Sequence, residues 1–284
     1  MKSTEELLSL LNLERIEENI FRGQNYQAPW KRVFGGQVLA QAIHAAHRTV
    51  DDDRVLHSMH AYFLLTGDIS TPIVYDVDRS RDGGSFTTRR VVGIQKGKPI
   101  FITSASFHRE SAGFDHQIAM PDVPAPEELK SDHELIGFLK TKAPELYKSL
   151  SHERPIEFRP VDPSNPLEPR NEKPYRYVWL KAKGKVDDNL RNHQEILAYA
   201  SDYNLLGTAF LPHREEEKSS NMFFASLDHA MWFHRPFRVD DWLLYQLDSP
   251  SASNSRGFTR GNIFDRSGAL VASVVQEGLM AVRR

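Results

Sequence analysis

Two stretches of the chain carry the same rhythm of apolar and polar positions, and that rhythm predicts the elements. In each, a helix-period segment is followed by four segments of strand period. In the first stretch the helix is expected over residues 37–48, opened by Gly35 and Gly36. Val38, Leu39, Ala40, Ala42, Ile43, Ala45 and Ala46 cover most of its circumference, so it should be buried nearly all round. Alternating segments follow over 55–65, 73–77, 86–94 and 100–107, separated by Thr66-Gly67-Asp68, Asp82-Gly83-Gly84 and Lys96-Gly97-Lys98-Pro99. These breaks are turn chemistry. In the second stretch a strand over 175–183 leads to a helix over 189–205, capped near Asp187-Asp188 and closed by Gly207. Strands follow over 223–233, 242–247, 257–264 and 270–276. Ahead of the first stretch, Ser3 and Glu6 form a capping box for a short helix, and 13–22 reads as a strand ended by Gly23.

The stretches align with each other. Phe63 and Phe233 are 170 residues apart, as are Tyr75 and Tyr245, and Phe101 and Val271. Phe86 and Phe258 differ by 172, which a two-residue change in the preceding turn would explain. L-A-Q-A at 39–42 reads L-A-Y-A at 197–200. Self-similarity over a helix and four strands implies duplication of one unit. The expected fold class is α+β, two helix-on-antiparallel-sheet units with their sheets edge to edge and the helices on the concave face. The expected boundaries are 1–110 for the first unit, 111–174 for a connection and 175–284 for the second. The connection holds ten of the sixteen prolines and one helix near 127–150; proline removes donors and fixes φ, so the remainder is neither central strand nor helix.

Composition narrows the function. With 36 basic and 38 acidic residues the net charge is −2, which favours neither nucleic acid nor an anionic membrane. No apolar run reaches the roughly 18 residues of a membrane span. The absence of cysteine excludes disulfides, thiolate metal sites and a cysteine nucleophile, and fits a reducing compartment. The start M-K-S-T-E-E-L-L lacks the apolar core of a signal peptide, and A-V-R-R is no peroxisomal address, so a cytoplasmic protein is expected. Neither His57/His60 nor His229/His234 reads as a metal pair, because strand spacing turns one member of each away; no metal and no cofactor are expected.

Chemistry concentrates in the second copy. Asp202 ends its helix, Ser226 lies before an aromatic block, and Gln276 is an uncharged amide at the end of an apolar strand. A buried amide must find partners for its donors and acceptor. Under the internal alignment Asp202 faces His44, Ser226 falls near Leu56 and Gln276 faces Ser106, so only one copy holds the acid, hydroxyl and amide. Such a set, in apolar surroundings, can grip and activate a water.

R-G-Q at 22–24, V-F-G-G-Q at 33–37, R-D-G-G-S-F at 81–86 and Q-K-G-K-P-I-F at 95–101 carry a resemblance, as do S-D-Y-N-L-L at 201–206, S-L-D-H-A-M-W-F-H-R-P-F at 226–237 and S-V-V-Q-E-G at 273–278. With these the chain resembles the acyl-CoA thioesterase II family over nearly its whole length. The resemblance implies a double hotdog fold and hydrolysis of acyl-CoA thioesters, medium to long chains included, to free acid and CoA. It places the family's catalytic Asp, Thr or Ser, and Gln on Asp202, Ser226 and Gln276, and implies a homo-oligomer, a dimer or tetramer. Without a cysteine or a G-x-S-x-G elbow, direct attack by water is the expected route. Gly36 and Gln37, at the glycine-opened helix start, are the expected oxyanion donors. Arg89, Arg90, Arg256 and Arg260 are candidates for the CoA phosphates. An enoyl-CoA hydratase or dehydratase, and a non-catalytic acyl-CoA binder, remain as alternatives.

Overall fold

The computed structural model describes residues 1–29, 31–216 and 221–282. The N-terminal elements are α1 (Thr4–Leu11), β1 (Glu14–Glu17), β2 (Ile20–Gly23), α2 (Gly35–His47), β3 (Val55–Phe63), β4 (Ile73–Asp82), β5 (Phe86–Gln95) and β6 (Lys98–His108). The C-terminal set is β7 (Ile156–Pro160), β8 (Tyr175–Ala182), α6 (Leu190–Ser201), α7 (Leu205–Phe210), β9 (Met222–Ser226), β10 (Asp228–Phe233), β11 (Leu243–Ser253), β12 (Arg256–Asp265) and β13 (Leu270–Val282). Between them lie the short helices α3 (Asp132–Leu135), α4 (Leu139–Lys142) and α5 (Pro144–Leu150), where one helix was expected. Pro144 starts a new helix after Ala143 departs from helical backbone.

Among the described residues the strands form one antiparallel sheet in the order β1-β2-β4-β5-β6-β3-β10-β13-β12-β11-β8-β7, with β9 on β13. The order reads the same from both ends, so the duplication is visible as a pseudo-twofold at the β3–β10 junction. There Asp228 pairs with Tyr62, Ala230 with His60 and Trp232 with Ser58. Under the 170-residue offset the outer two pairs exchange and the His60–Ala230 pair maps onto itself, so the axis runs through it.

Several expectations shift. Arg81 pairs with Thr88 and Ser251 with Phe258, each just past a bulge, at Asp78/Arg81 and at Asp248/Ser251. The offset therefore stays at 170 through β5 and β12, and the counterpart of Phe258 is Thr88 rather than Phe86. Phe63 pairs with Phe101 and Phe233 with Ala272, so the last strand is offset by 171 and the counterpart of Gln276 is Ala105 rather than Ser106. The proline-rich stretch supplies a strand after all. β7 pairs with β8 at the sheet edge, so the C-terminal unit's sheet begins at Ile156 rather than at 175. Pro160 is its last residue, where a missing N–H costs little.

The two buried helices α2 and α6 pack against each other and against the sheet, within one core that draws on both halves: Leu39, Ile43, Met59, Leu197, Ala198 and Met231 all belong to it. A Cβ on Gly36 would sit 2.3 Å from the Tyr199 carbonyl oxygen, so a glycine there permits the close approach.

Candidate active site

Three local breaks in regular structure deliver the site. Helix α6 ends at Ser201 with Asp202 as its C-cap, because Asn204 turns the chain into the left-handed region at φ 70°. The helix expected over 189–205 is thus divided, and Gly207 lies inside α7 instead of closing α6. The strand expected over 223–233 divides as well. Ser226 pairs with Gly278 and Ala230 with Val275, which leaves one extra residue at Leu227. The Leu227 carbonyl accepts from the Phe63 N–H at 2.9 Å while its own N–H donates to the Glu277 carbonyl at 2.9 Å. Such a bulge re-aims the neighbouring side chain, here Ser226. The third break is the glycine start of α2, where a Cβ on Gly35 would lie 2.7 Å from Asp202 Oδ2.

The expected trio meets at this point. Gln276 Nε2 donates to Ser226 Oγ at 2.8 Å, and Ser226 Oγ–H donates to Asp202 Oδ1 over a longer 3.4 Å. The Gly36 N–H donates to Asp202 Oδ2 at 2.9 Å, across 166 residues of sequence, so the carboxylate caps α2 while ending α6. Burial pushes the Asp202 carboxyl above its ordinary value; the His229 ring, the Gly36 N–H, Gln276 and Ser226 pull against that rise. A partly desolvated carboxylate with a raised pKa, held at two oxygens, is equipped to accept a proton.

The site opens into a cavity of about 470 Å3. Phe34, Val38, Phe63, Ile100 and Phe101 from the first half and Leu206 and Phe224 from the second make it apolar, with Asp202, Ser226 and Gln276 in its wall. The size falls within the about 300–1,000 Å3 of small-molecule sites. Both copies contribute, so neither half encloses it alone. At the pseudo-symmetric position Leu56 and Ala105 replace Ser226 and Gln276. His44, the counterpart of Asp202, joins His47 on the buried Glu195 carboxylate at 3.0 and 2.8 Å.

Models of the family described as acyl-CoA thioesterase match residues 147–279, and those of its N-terminal domain match 26–108. Human acyl-coenzyme A thioesterase 8 is 42% identical over 97% of this chain and 88% of its own length. Acyl-CoA thioesterase 2 of Haemophilus influenzae is 39% identical over 96% of each chain. The chain belongs to the acyl-CoA thioesterase family. Among solved structures, an acyl-CoA thioesterase II from Mycobacterium marinum superposes with a TM-score of 0.81 at 41% identity, covering 98% of both chains. A hot dog fold protein from Alicyclobacillus acidocaldarius superposes at 0.77 with 17% identity, and the fold is a double hotdog.

Other expected members of this thioesterase family site lie elsewhere. The Gln37 side chain turns away from the cavity. It accepts from the Tyr26 N–H at 3.2 Å and donates to Asn25 Oδ1 at 2.8 Å, tying down the segment before α2. Its backbone N–H goes to the Phe34 carbonyl at 3.1 Å. With the Gly36 N–H given to Asp202, the helix start here serves the carboxylate rather than an oxyanion. Arg256 is not among the described residues lining the cavity; it donates to Glu277 at 2.9 Å beside the β12 turn. Arg89 is fully buried and spent on Thr49 and Asp82, and Arg260 pairs with Asp248. Arg90, exposed on β5, is also absent from the lining. Among the described residues the cation lining the cavity is Arg32, stacked 5.4 Å over the Phe223 ring. No helical or strand periodicity marks the loop carrying Arg32, so pattern reading had no signal for it.

Sequence reading also missed His229. The sequence pattern offers it only as half of a metal pair with His234, which strand spacing argues against. His234 bonds Ser273 Oγ on the exposed side, whereas His229 is fully buried next to Gln276. The inward register that His229 shares with Met231 and Phe233 was the available signal.

Proposed function

We propose that the chain hydrolyses acyl-CoA thioesters to a free acid and CoA by direct attack of water. The observation that carries this reading is the relay Gln276–Ser226–Asp202 in the wall of an apolar cavity. Asp202, its pKa raised by burial, takes a proton from the water as the oxygen bonds to the thioester carbonyl carbon. The tetrahedral intermediate then expels the CoA sulfur, which takes the proton back from Asp202 and leaves as the thiol. Ser226 and Gln276 orient the water; Gln276 retains a second amide hydrogen beyond the one given to Ser226. The acyl chain lies against Phe34, Phe63 and Phe101, and Arg32 at the rim faces the CoA phosphates as a cation–π-anchored guanidinium.

The hydratase alternative calls for a histidine facing substrate. The histidine nearest the relay, His229, engages both ring nitrogens within the protein and does not line the cavity. Free thiol measured over acyl-CoAs of increasing chain length, with product mass spectrometry, tests the proposal. CoA and free acid from the wild type and little from Asp202→Asn are expected. A hydrated acyl-CoA product, or binding without thiol release, would end it.

A further inference from the structure

The relay has a direction, and something must impose it. Ser226 Oγ accepts from Gln276 Nε2, so its hydrogen is turned away from the amide and toward Asp202. A carboxamide can rotate by half a turn with little change of shape. In the turned form Oε1 would face Ser226, compete for its hydrogen and confront the Asp202 carboxylate, and the water would lose an N–H donor. Nothing in Gln276 itself prefers one form.

We infer that His229 is a positioning residue that carries a proton on Nδ1 and thereby holds the Gln276 carboxamide with its nitrogen toward Ser226. His229 Nδ1–H donates to Gln276 Oε1 at 2.7 Å, and Nε2 lies 3.0 Å from Ser201 Oγ. Ser201 is anchored in turn: its carbonyl accepts from the Tyr245 hydroxyl at 3.1 Å, and its single hydroxyl hydrogen, which has the Ala198 carbonyl at 2.9 Å as its alternative acceptor, turns to Nε2 when the ring proton is on Nδ1. The imidazole is fully buried, so no solvent competes for Nδ1. It occupies a strand position whose counterpart in the first copy, Met59, is apolar, as the counterpart of Gln276, Ala105, is. The histidine and the amide therefore occur together in the copy that holds the relay. His229 does not line the cavity, and it reaches Ser226 by way of Gln276.

The inference rests on the proposed role of Gln276, Ser226 and Asp202, and a double-mutant cycle separates the two. Thiol release from decanoyl-CoA would be followed in the wild type, His229→Leu, Gln276→Ala and the double variant, with thermal melts alongside. His229→Leu should lower kcat on the order of a hundredfold, the cost of misplacing a reacting group by about 1 Å, and shift KM by less than about twofold. In the Gln276→Ala background the same change should cost less than about twofold more, because residues acting as a unit are not additive. His229→Asn puts an amide nitrogen where Nδ1 lies and should recover at least about tenfold of the loss. His229→Gln reaches the Nε2 position instead and should recover none. Multiplicative losses in the double variant, or equal rates for Asn and Gln, would overturn the inference. Nitrogen-15 NMR of the unsubstituted protein gives a reading free of any folding defect: the proton should be on Nδ1, and an Nε2-only tautomer refutes the idea. If Asp202→Asn turned over at the wild-type rate, the underlying mechanism would fall instead.

Discussion

Asp202→Asn isolates the base from the scaffold. The asparagine has the shape of the aspartate, and its carbonyl can still accept from the Gly36 N–H, the 2.9 Å bond that joins α6 to α2. Its amide nitrogen then faces Ser226 Oγ, which has a second lone pair to offer. The packing is thus retained while the proton acceptor is lost. Removing a general base costs about 10²–10⁴-fold, or roughly 3–5 kcal/mol in the barrier. Stability should move the other way. Burial raises the Asp202 pKa above its ordinary 3.8, so the folded state binds that proton more tightly than the unfolded chain does. The contribution is favourable at acid pH and is lost as pH rises through the folded value. At pH 8 the variant should therefore melt no lower than the wild type, and the difference should shrink as pH falls toward 4. The wild-type kcat should decline on the acid side at a pH above the ordinary carboxylate range, and that limb should be missing from the residual activity of the variant. Thiol-release kinetics and calorimetric melts across pH 4–9 supply both readouts. Turnover at the wild-type rate, or a variant markedly less stable at pH 8, would refute the reasoning.

Gly36→Ala should cost about 1–3 kcal/mol in urea unfolding, because its Cβ would lie 2.3 Å from the Tyr199 carbonyl oxygen and α2 must move; kcat should fall with it, since the same shift carries the Gly36 N–H away from Asp202. Arg32→Ala should raise KM for acyl-CoA by about tenfold, the loss of one exposed phosphate contact of roughly 1.4 kcal/mol, and leave kcat within about twofold; an unchanged KM would remove Arg32 from the substrate path. Glu195→Gln should destabilise the fold by about 1–3 kcal/mol at pH 7, the cost of weakening buried hydrogen bonds, because burial holds the His47 ring below its ordinary 6.5 and so neutral there. Burial pushes the Glu195 carboxyl up, but the bonds from His44 and His47 outweigh it and hold the pKa at about 2 against an ordinary 4.5. Its stabilisation is therefore present above pH 4.5 and lost as pH falls through 2, so urea titrations of wild type and variant should converge in strong acid.

The periodicity of the chain was sufficient for the architecture. The buried alanine-rich helix, the strand alternation and the turn residues between strands are local signals, and the constant offset between Tyr75 and Tyr245 revealed two copies without coordinates. Asp202, Ser226 and Gln276, which the first copy lacks, could be named from the chain alone because polar groups on otherwise apolar elements stand out. Their meeting could not. Asp202 reaches the site because Asn204 breaks the helix after it, Ser226 because one extra residue at Leu227 bends the strand, and both features are absent from hydrophobic pattern. The Gly36 N–H, the Arg32 guanidinium and the His229 ring come from loops, helix starts and strand registers whose partners are distant in sequence. A pattern of apolar positions records which face of an element is buried. It does not record which element covers that face: the hydrogen bond across 47 residues needs β10 laid beside β13, and the one across 166 residues needs the two halves joined at β3 and β10.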